Sequence, residues 1–172
     1  MDGNFDYLYE LEYKNAKVIA RKQNTRFPKI DSVVYDDLGR LWKLYKIPSN
    51  KYSVFEYENN SSKLPFKRLE IKIESSYINP PPPYEEMITY NTNHQIKKTV
   101  IEYSREIAST GQIFTTNKTT KYTYNNDGNL IKDHYRETTN FSDTDYEIIQ
   151  LYGDYDTLNN PFEGLPFLNF VV

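Results

Sequence analysis

Thr123-Tyr124-Asn125-Asn126-Asp127-Gly128-Asn129-Leu130 decides the fold. A strand ends on Tyr, a short Asx/Gly stretch turns the chain, and a new strand begins on an apolar residue. That order is the grammar of a β-hairpin. Val34-Tyr35-Asp36-Asp37-Leu38-Gly39-Arg40-Leu41 repeats it. Thr89-Tyr90-Asn91-Thr92-Asn93-His94-Gln95-Ile96 keeps the layout with His94 where Gly stood, and Leu11-Glu12-Tyr13-Lys14-Asn15 before Val18 is a shortened form. The spacings between these units are unequal, so the pattern is degenerate hairpin repetition rather than a fixed-period solenoid.

The strands between the turns read cleanly. Tyr7, Tyr9, Leu11 and Tyr13 share one face and Glu10 and Glu12 the other; Leu69, Ile71 and Ile73 alternate with Glu70, Lys72 and Glu74. Period-2 alternation with one wet face marks antiparallel strands. Further strand candidates fall near 17–22, 31–35, 40–47, 51–58, 85–91, 95–104, 112–124, 129–138 and 145–152. Tyr103–Gly111, the one stretch with some helical character, reads as strand and loop. The expectation is a single all-β domain over residues 1–172: an antiparallel meander of degenerate hairpin repeats in one twisted, curved sheet, curled as far as a half-barrel.

Composition agrees. The chain of 172 residues uses Tyr 17 times and Phe 9 times, with Ala only at 16, 20 and 108. Aromatic and β-branched residues suit a pleated, half-buried surface, and Ala is the best helix former. A chain of this length buries roughly 70% of its unfolded surface, enough for a core without staples. Cysteine is absent, which removes disulfides, thiolate zinc sites and Cys nucleophiles together. Net charge is −3 with both signs interspersed, which gives no electrostatic footprint for nucleic acid. No apolar run reaches the ~20 residues of a membrane-spanning helix. Met1-Asp2-Gly3 carries no signal-peptide pattern and reads equally as a native start or as the start left after a leader is removed.

Asn79-Pro80-Pro81-Pro82-Pro83-Tyr84 interrupts the strands, because prolines cannot donate to a ladder and favour polyproline II. It reads as a connection, and Pro81-Pro82-Pro83-Tyr84 also has the form read by WW domains, which makes Tyr84 a candidate partner-binding residue. The apolar, Pro-broken segment 161–172 reads as an extended strip packing on the sheet.

The tyrosine-Asx-x-x-Gly-x-Leu units resemble the YD-type repeats of secreted bacterial proteins. Asp154-Tyr155-Asp156-Thr157-Leu158-Asn159-Asn160-Pro161-Phe162 is similar to the endings of uncharacterised Bacteroidota envelope lipoproteins. The resemblance implies a β-rich envelope or secreted protein, outer-membrane-anchored or periplasmic, held by lipid on a leader cysteine. It implies no functional residues. His94 departs from the repeat glycine, and YD-repeat toxin shells need many more units than this chain has.

Chemistry-bearing residues are sparse. His94 and His134 are the two histidines, which do not make a zinc site between them, and no G-x-S-x-G elbow is present. Asn125–Asn129 superficially suggests a calcium loop, but it lacks alternating acidic ligands and a later Glu, so it reads as a turn. No metal and no cofactor is expected. Trp42, the single tryptophan, sits in Leu41-Trp42-Lys43-Leu44-Tyr45. Simple alternation groups it with Leu44 and Lys46, away from Leu41; with Leu41 in the core, Trp42 faces outward. An outward aromatic row binds sugar rings or a partner; the alternative for Trp42 is core or cross-strand packing on a two-sided sheet.

These features point to a non-enzymatic cell-envelope or secreted binding or structural module, recognising a glycan, a surface protein or an apolar ligand through Trp42 and Tyr84. The alternatives are a periplasmic carrier of an apolar or lipid-like ligand and a glycan-active enzyme, the last requiring converging carboxylates.

Overall fold

The computed structural model describes residues 8–15, 17–24, 29–47, 49, 51–72, 84–106, 109–140 and 142–153. Eleven strands follow one another: β1 (Leu8–Lys14), β2 (Lys17–Asn24), β3 (Lys29–Tyr35), β4 (Leu41–Ile47), β5 (Lys51–Glu56), β6 (Lys67–Lys72), β7 (Tyr84–Tyr90), β8 (Ile96–Glu106), β9 (Ile113–Tyr124), β10 (Leu130–Thr139) and β11 (Ser142–Leu151). Their hydrogen-bonded order is their order in the chain, an open meander. Every neighbouring pair within β1–β5 and within β7–β11 is antiparallel. The described residues contain no helix, so none is long and apolar enough to cross a membrane. The prolines at 80–83 and segment 161–172 lie outside the described residues.

The chain groups into two compact units, one from Met1–Lys63 with Leu69–Pro83, the other from Leu64–Arg68 with Tyr84–Val172. In the first, Val33, Leu44 and Ser53 lie opposite one another on β3, β4 and β5 and are all buried. Phe55, two residues beyond Ser53, and Leu41 complete that core. In the second, Ile88 opposes Thr99, and both are buried with Ile96, Glu86 and Thr116.

The three full turn units share one geometry. In each, the Asx residue after Tyr bonds through its backbone N–H to the residue four ahead: Asp36 to the Arg40 carbonyl at 2.8 Å, Asn91 to Gln95 at 2.9 Å, Asn125 to Asn129 at 2.9 Å. Its side-chain oxygen accepts two backbone N–H groups: Leu38 and Arg40 at 3.0 and 2.8 Å, Asn93 and Gln95 both at 3.0 Å, Asp127 and Asn129 at 3.0 and 2.8 Å. The fourth turn residue is left-handed: Gly39 at φ 77°, His94 at φ 61°, Gly128 at φ 85°. Asx side chains satisfy turn amides, and Gly accepts positive φ at no steric cost. The shortened unit closes on the opposed pair Lys14 and Lys17, with Asn15 left-handed at φ 51°.

Tyrosine hydroxyls tie successive hairpins together. Tyr57 donates to the Leu41 carbonyl at 2.7 Å, Tyr90 to Pro65 at 2.8 Å and Tyr124 to Ile96 at 2.9 Å. Leu41 and Ile96 are the apolar residues that close the preceding turn units, so a tyrosine in one hairpin caps the start of the one before it. Burial pushes the Tyr57 and Tyr124 phenols up to about 12. The residue before the closing apolar one reaches sideways as well. Arg40 donates to the Asn59 and Ser62 carbonyls at 2.9 and 3.1 Å and lies over the Tyr57 ring; Gln95 donates to the Gly128 carbonyl at 2.8 Å.

Candidate functional site: an aromatic platform on the first unit

Each full turn unit is followed by a one-residue bulge. Val34 opposes Lys43 and Tyr35 opposes Leu41, which leaves Trp42 without an opposite residue on β3. Lys97 and Ile131 are skipped in the same way on β8 and β10. A bulge bends its strand and re-aims a side chain. Here it lets Leu41 and Leu44, three residues apart, both bury, with Leu44 wholly inaccessible and Trp42 43% exposed. With Leu41 in the core, Trp42 lies on the outer face and is not a core residue. The simple alternation that grouped it with Leu44 fails, because the extra residue breaks the period of two.

Beside Trp42 the sheet carries a tyrosine pair. Tyr45 on β4 and Tyr52 on β5 are directly opposite, with ring centroids 5.4 Å apart and planes inclined by 26°. Lys43 bridges these groups. Its Nζ lies 3.9 Å from the Trp42 ring centroid and 5.7 Å from that of Tyr52. Ammonium groups within about 6 Å of a ring centroid are drawn to its negative face, by about 0.5–1 kcal/mol at exposed sites. Trp42, Tyr45 and Tyr52 thus form a three-ring surface held by one cation.

The platform is anchored from below. Ser32 and Ala20 continue the Tyr45–Tyr52 row onto β3 and β2, where Ala20 is buried. On the other face, Lys46 and Lys51 are opposed, and Lys51 Nζ pairs with Glu70 Oε1 at 2.6 Å. At the turn end, burial works to raise the Asp36 carboxyl, but hydrogen bonds from Arg40 and its guanidinium charge hold it below its ordinary value. The turn that sets the bulge is thereby fixed in its ionised form.

Tyr84, the other candidate from sequence, opens β7 and is engaged internally. Its hydroxyl accepts from Arg105, and its ring meets Tyr103 edge-on at 5.2 Å. The two candidates belong to different units. The Tyr45–Tyr52 pair and the Lys43 bridge escaped the sequence reading. The available signal was the pair of strands itself: Tyr45 and Tyr52 fall opposite each other once the β4–β5 hairpin is closed.

The remaining polar groups build internal pairs. Arg68 Nε sits 2.7 Å from the buried Glu86 Oε2 without directing a hydrogen bond along that line, so the contact is an ion pair by proximity. Lys118 Nζ lies 3.3 Å from Glu137 Oε2, and Tyr135 donates to the same carboxylate. The Tyr135 hydrogen bond, with Lys118 behind it, lowers the Glu137 carboxyl. Burial opposes the Lys118 charge, yet its bond to Glu137 leaves that ammonium harder to deprotonate than usual. Among the described residues, no three His, Asp or Glu side chains gather as metal ligands would.

No family model matches the chain, and no curated protein matches it. A solved structure of a protein of unknown function from Bacteroides fragilis is similar over 85% of this chain and 91% of that one, at 13% identity and a TM-score of 0.37.

Proposed function

We propose that the chain is a non-enzymatic binding module of the bacterial envelope or secreted space, which recognises pyranose rings on the Trp42–Tyr45–Tyr52 platform. One observation carries the reading. The turn-and-bulge unit recurs three times as a scaffold, and in the first unit it presents a 43%-exposed tryptophan beside a stacked tyrosine pair. Flat aromatic faces complement the apolar faces of sugar rings, and Tyr and Trp lose little rotamer freedom on binding. The envelope setting, with its lipid anchor, is supported by the YD-type units and the ending at residues 154–162.

Trp42 is the single tryptophan among 17 tyrosines, so fluorescence excited at the red edge of absorption, where tyrosine does not absorb, reports on Trp42. A glycan array identifies ligands, and a fluorescence titration with each follows. The expected result is a saturable change in Trp42 emission, with Trp42→Ala binding none of the array hits. Hits that bind Trp42→Ala as well as the parent protein would sink the platform. Mass spectrometry of the protein from its own source tests the setting, where a diacylglyceryl-cysteine at the mature N-terminus is expected.

A further inference from the structure

The second unit sets like charges side by side. Lys98 on β8 lies directly opposite Lys121 on β9, and Lys121 lies directly opposite His134 on β10. Lys132, two residues before His134, shares that face. Directly opposed residues have Cβ atoms about 4.5–5.5 Å apart, and like charges there destabilise a sheet. The row ends on uncharged residues, Thr89 opposite Lys98 and Ile149 opposite His134.

Local acids do not compensate the three lysines. Among the described residues, Lys98, Lys121 and Lys132 form no ion pair. Asp145 and Glu147 on β11 are engaged by Arg136. Glu147 Oε2 also lies 3.5 Å from His134 Nε2, a nitrogen that is buried and makes no hydrogen bond. Glu102, farther along β8, lies beside Asn117. Among the described residues, three lysines without an ion pair therefore share one face of the second unit.

We propose that Lys98 and Lys121, with Lys132 on the same face and His134 as their neighbour, form an anion-binding surface for the carboxylate or sulfate groups of an acidic glycan. Cations repeated at one strand spacing, about 4.8 Å, suit a repeating polyanion better than a single small ion. The glycan nature of the ligand rests on the function proposed above; the anion site rests on the row itself.

The probes are an oligogalacturonate and its fully methyl-esterified form, which share a backbone and differ in charge. The ring C–H signals of His134 are followed by NMR, with His94 as the internal control. The oligogalacturonate is expected to shift His134 and leave His94 in place, with weaker binding at higher salt. The ester is expected to leave His134 unmoved. Lys98→Gln and Lys121→Gln are each expected to weaken acid binding by about two- to fivefold, with unchanged circular dichroism. Equal binding of acid and ester at this row, or lysine variants that bind as the parent does, would overturn the proposal. Displacement by duplex DNA at equal charge concentration would overturn the glycan assignment. Inorganic sulfate separates the two readings. A sulfate-responsive His134 beside a Trp42 silent to every sugar keeps the anion surface and removes the platform. A His134 silent to sulfate and oligogalacturonate, beside a responsive Trp42, does the reverse.

Discussion

The left-handed turn position gives the sharpest test of how this chain specifies its fold, because two units use Gly there and one uses His. Gly128→Ala forces a Cβ into φ 85°. Left-handed geometry costs an L-residue about 1–2 kcal/mol, while stiffening the unfolded chain returns about 0.4–1 kcal/mol. The new Cβ would also stand 3.2 Å from Gln95 Nε2, the atom that donates to the Gly128 carbonyl at 2.8 Å. Weakening that bond costs about 1 kcal/mol. The net expectation is a loss of about 1–2 kcal/mol. His94→Gly at φ 61° runs the other way. It relieves the left-handed strain and loses part of the gain to a more flexible unfolded chain, for a net gain of about 0.5 kcal/mol. Urea unfolding followed by far-UV circular dichroism, with m held constant, reads both as opposite shifts of the midpoint. A Gly128→Ala midpoint equal to the parent's, or a His94→Gly midpoint below it, would refute the shared-turn reasoning.

Three further outcomes follow from the same geometry. Leu44→Ala should destabilise by about 3 kcal/mol, whereas Trp42→Ala should cost under about 1 kcal/mol; equal losses in urea unfolding would contradict the bulge that separates them. Tyr57 and Tyr124 titrate near 12 in the fold and near 10 when unfolded. The unfolded chain thus loses those protons first, so stability is full below about pH 10 and falls as pH rises toward 12. Unfolding midpoints for the Tyr57→Phe/Tyr124→Phe double variant should descend less steeply over that window than the parent's, and an unchanged descent would count against the buried hydroxyls. Arg40→Ala frees the Asn59 and Ser62 carbonyls, so amide hydrogen exchange in the 59–62 turn should quicken with little change in β9 and β10.

The all-β meander was legible because its information is local. Tyr, Asx, a left-handed residue and an apolar residue in fixed order specify a turn through bonds within five residues, as Asn125 does with Asp127 and Asn129. Alternation then names the strands on either side. His94 shows how far the local code tolerates departure: Asn91 holds the turn in place around a non-Gly residue.

What the sequence could not reveal arises between strands. A period of two cannot register a residue that has no partner, so alternation put Trp42 with Leu44. Only pairing with β3 shows the bulge that exposes one and buries the other. The Tyr124 bond to the Ile96 carbonyl spans 28 positions and the Gln95 bond to the Gly128 carbonyl spans 33, distances over which no local pattern survives. The Tyr45–Tyr52 stack and the Lys98–Lys121–His134 row exist only once the register is closed. The sequence by itself determined the turns, the strands and their order, because those are set by neighbours along the chain. The tertiary structure decided which side chains share a face, because that depends on pairing between strands, where one unpaired residue reverses every assignment beyond it.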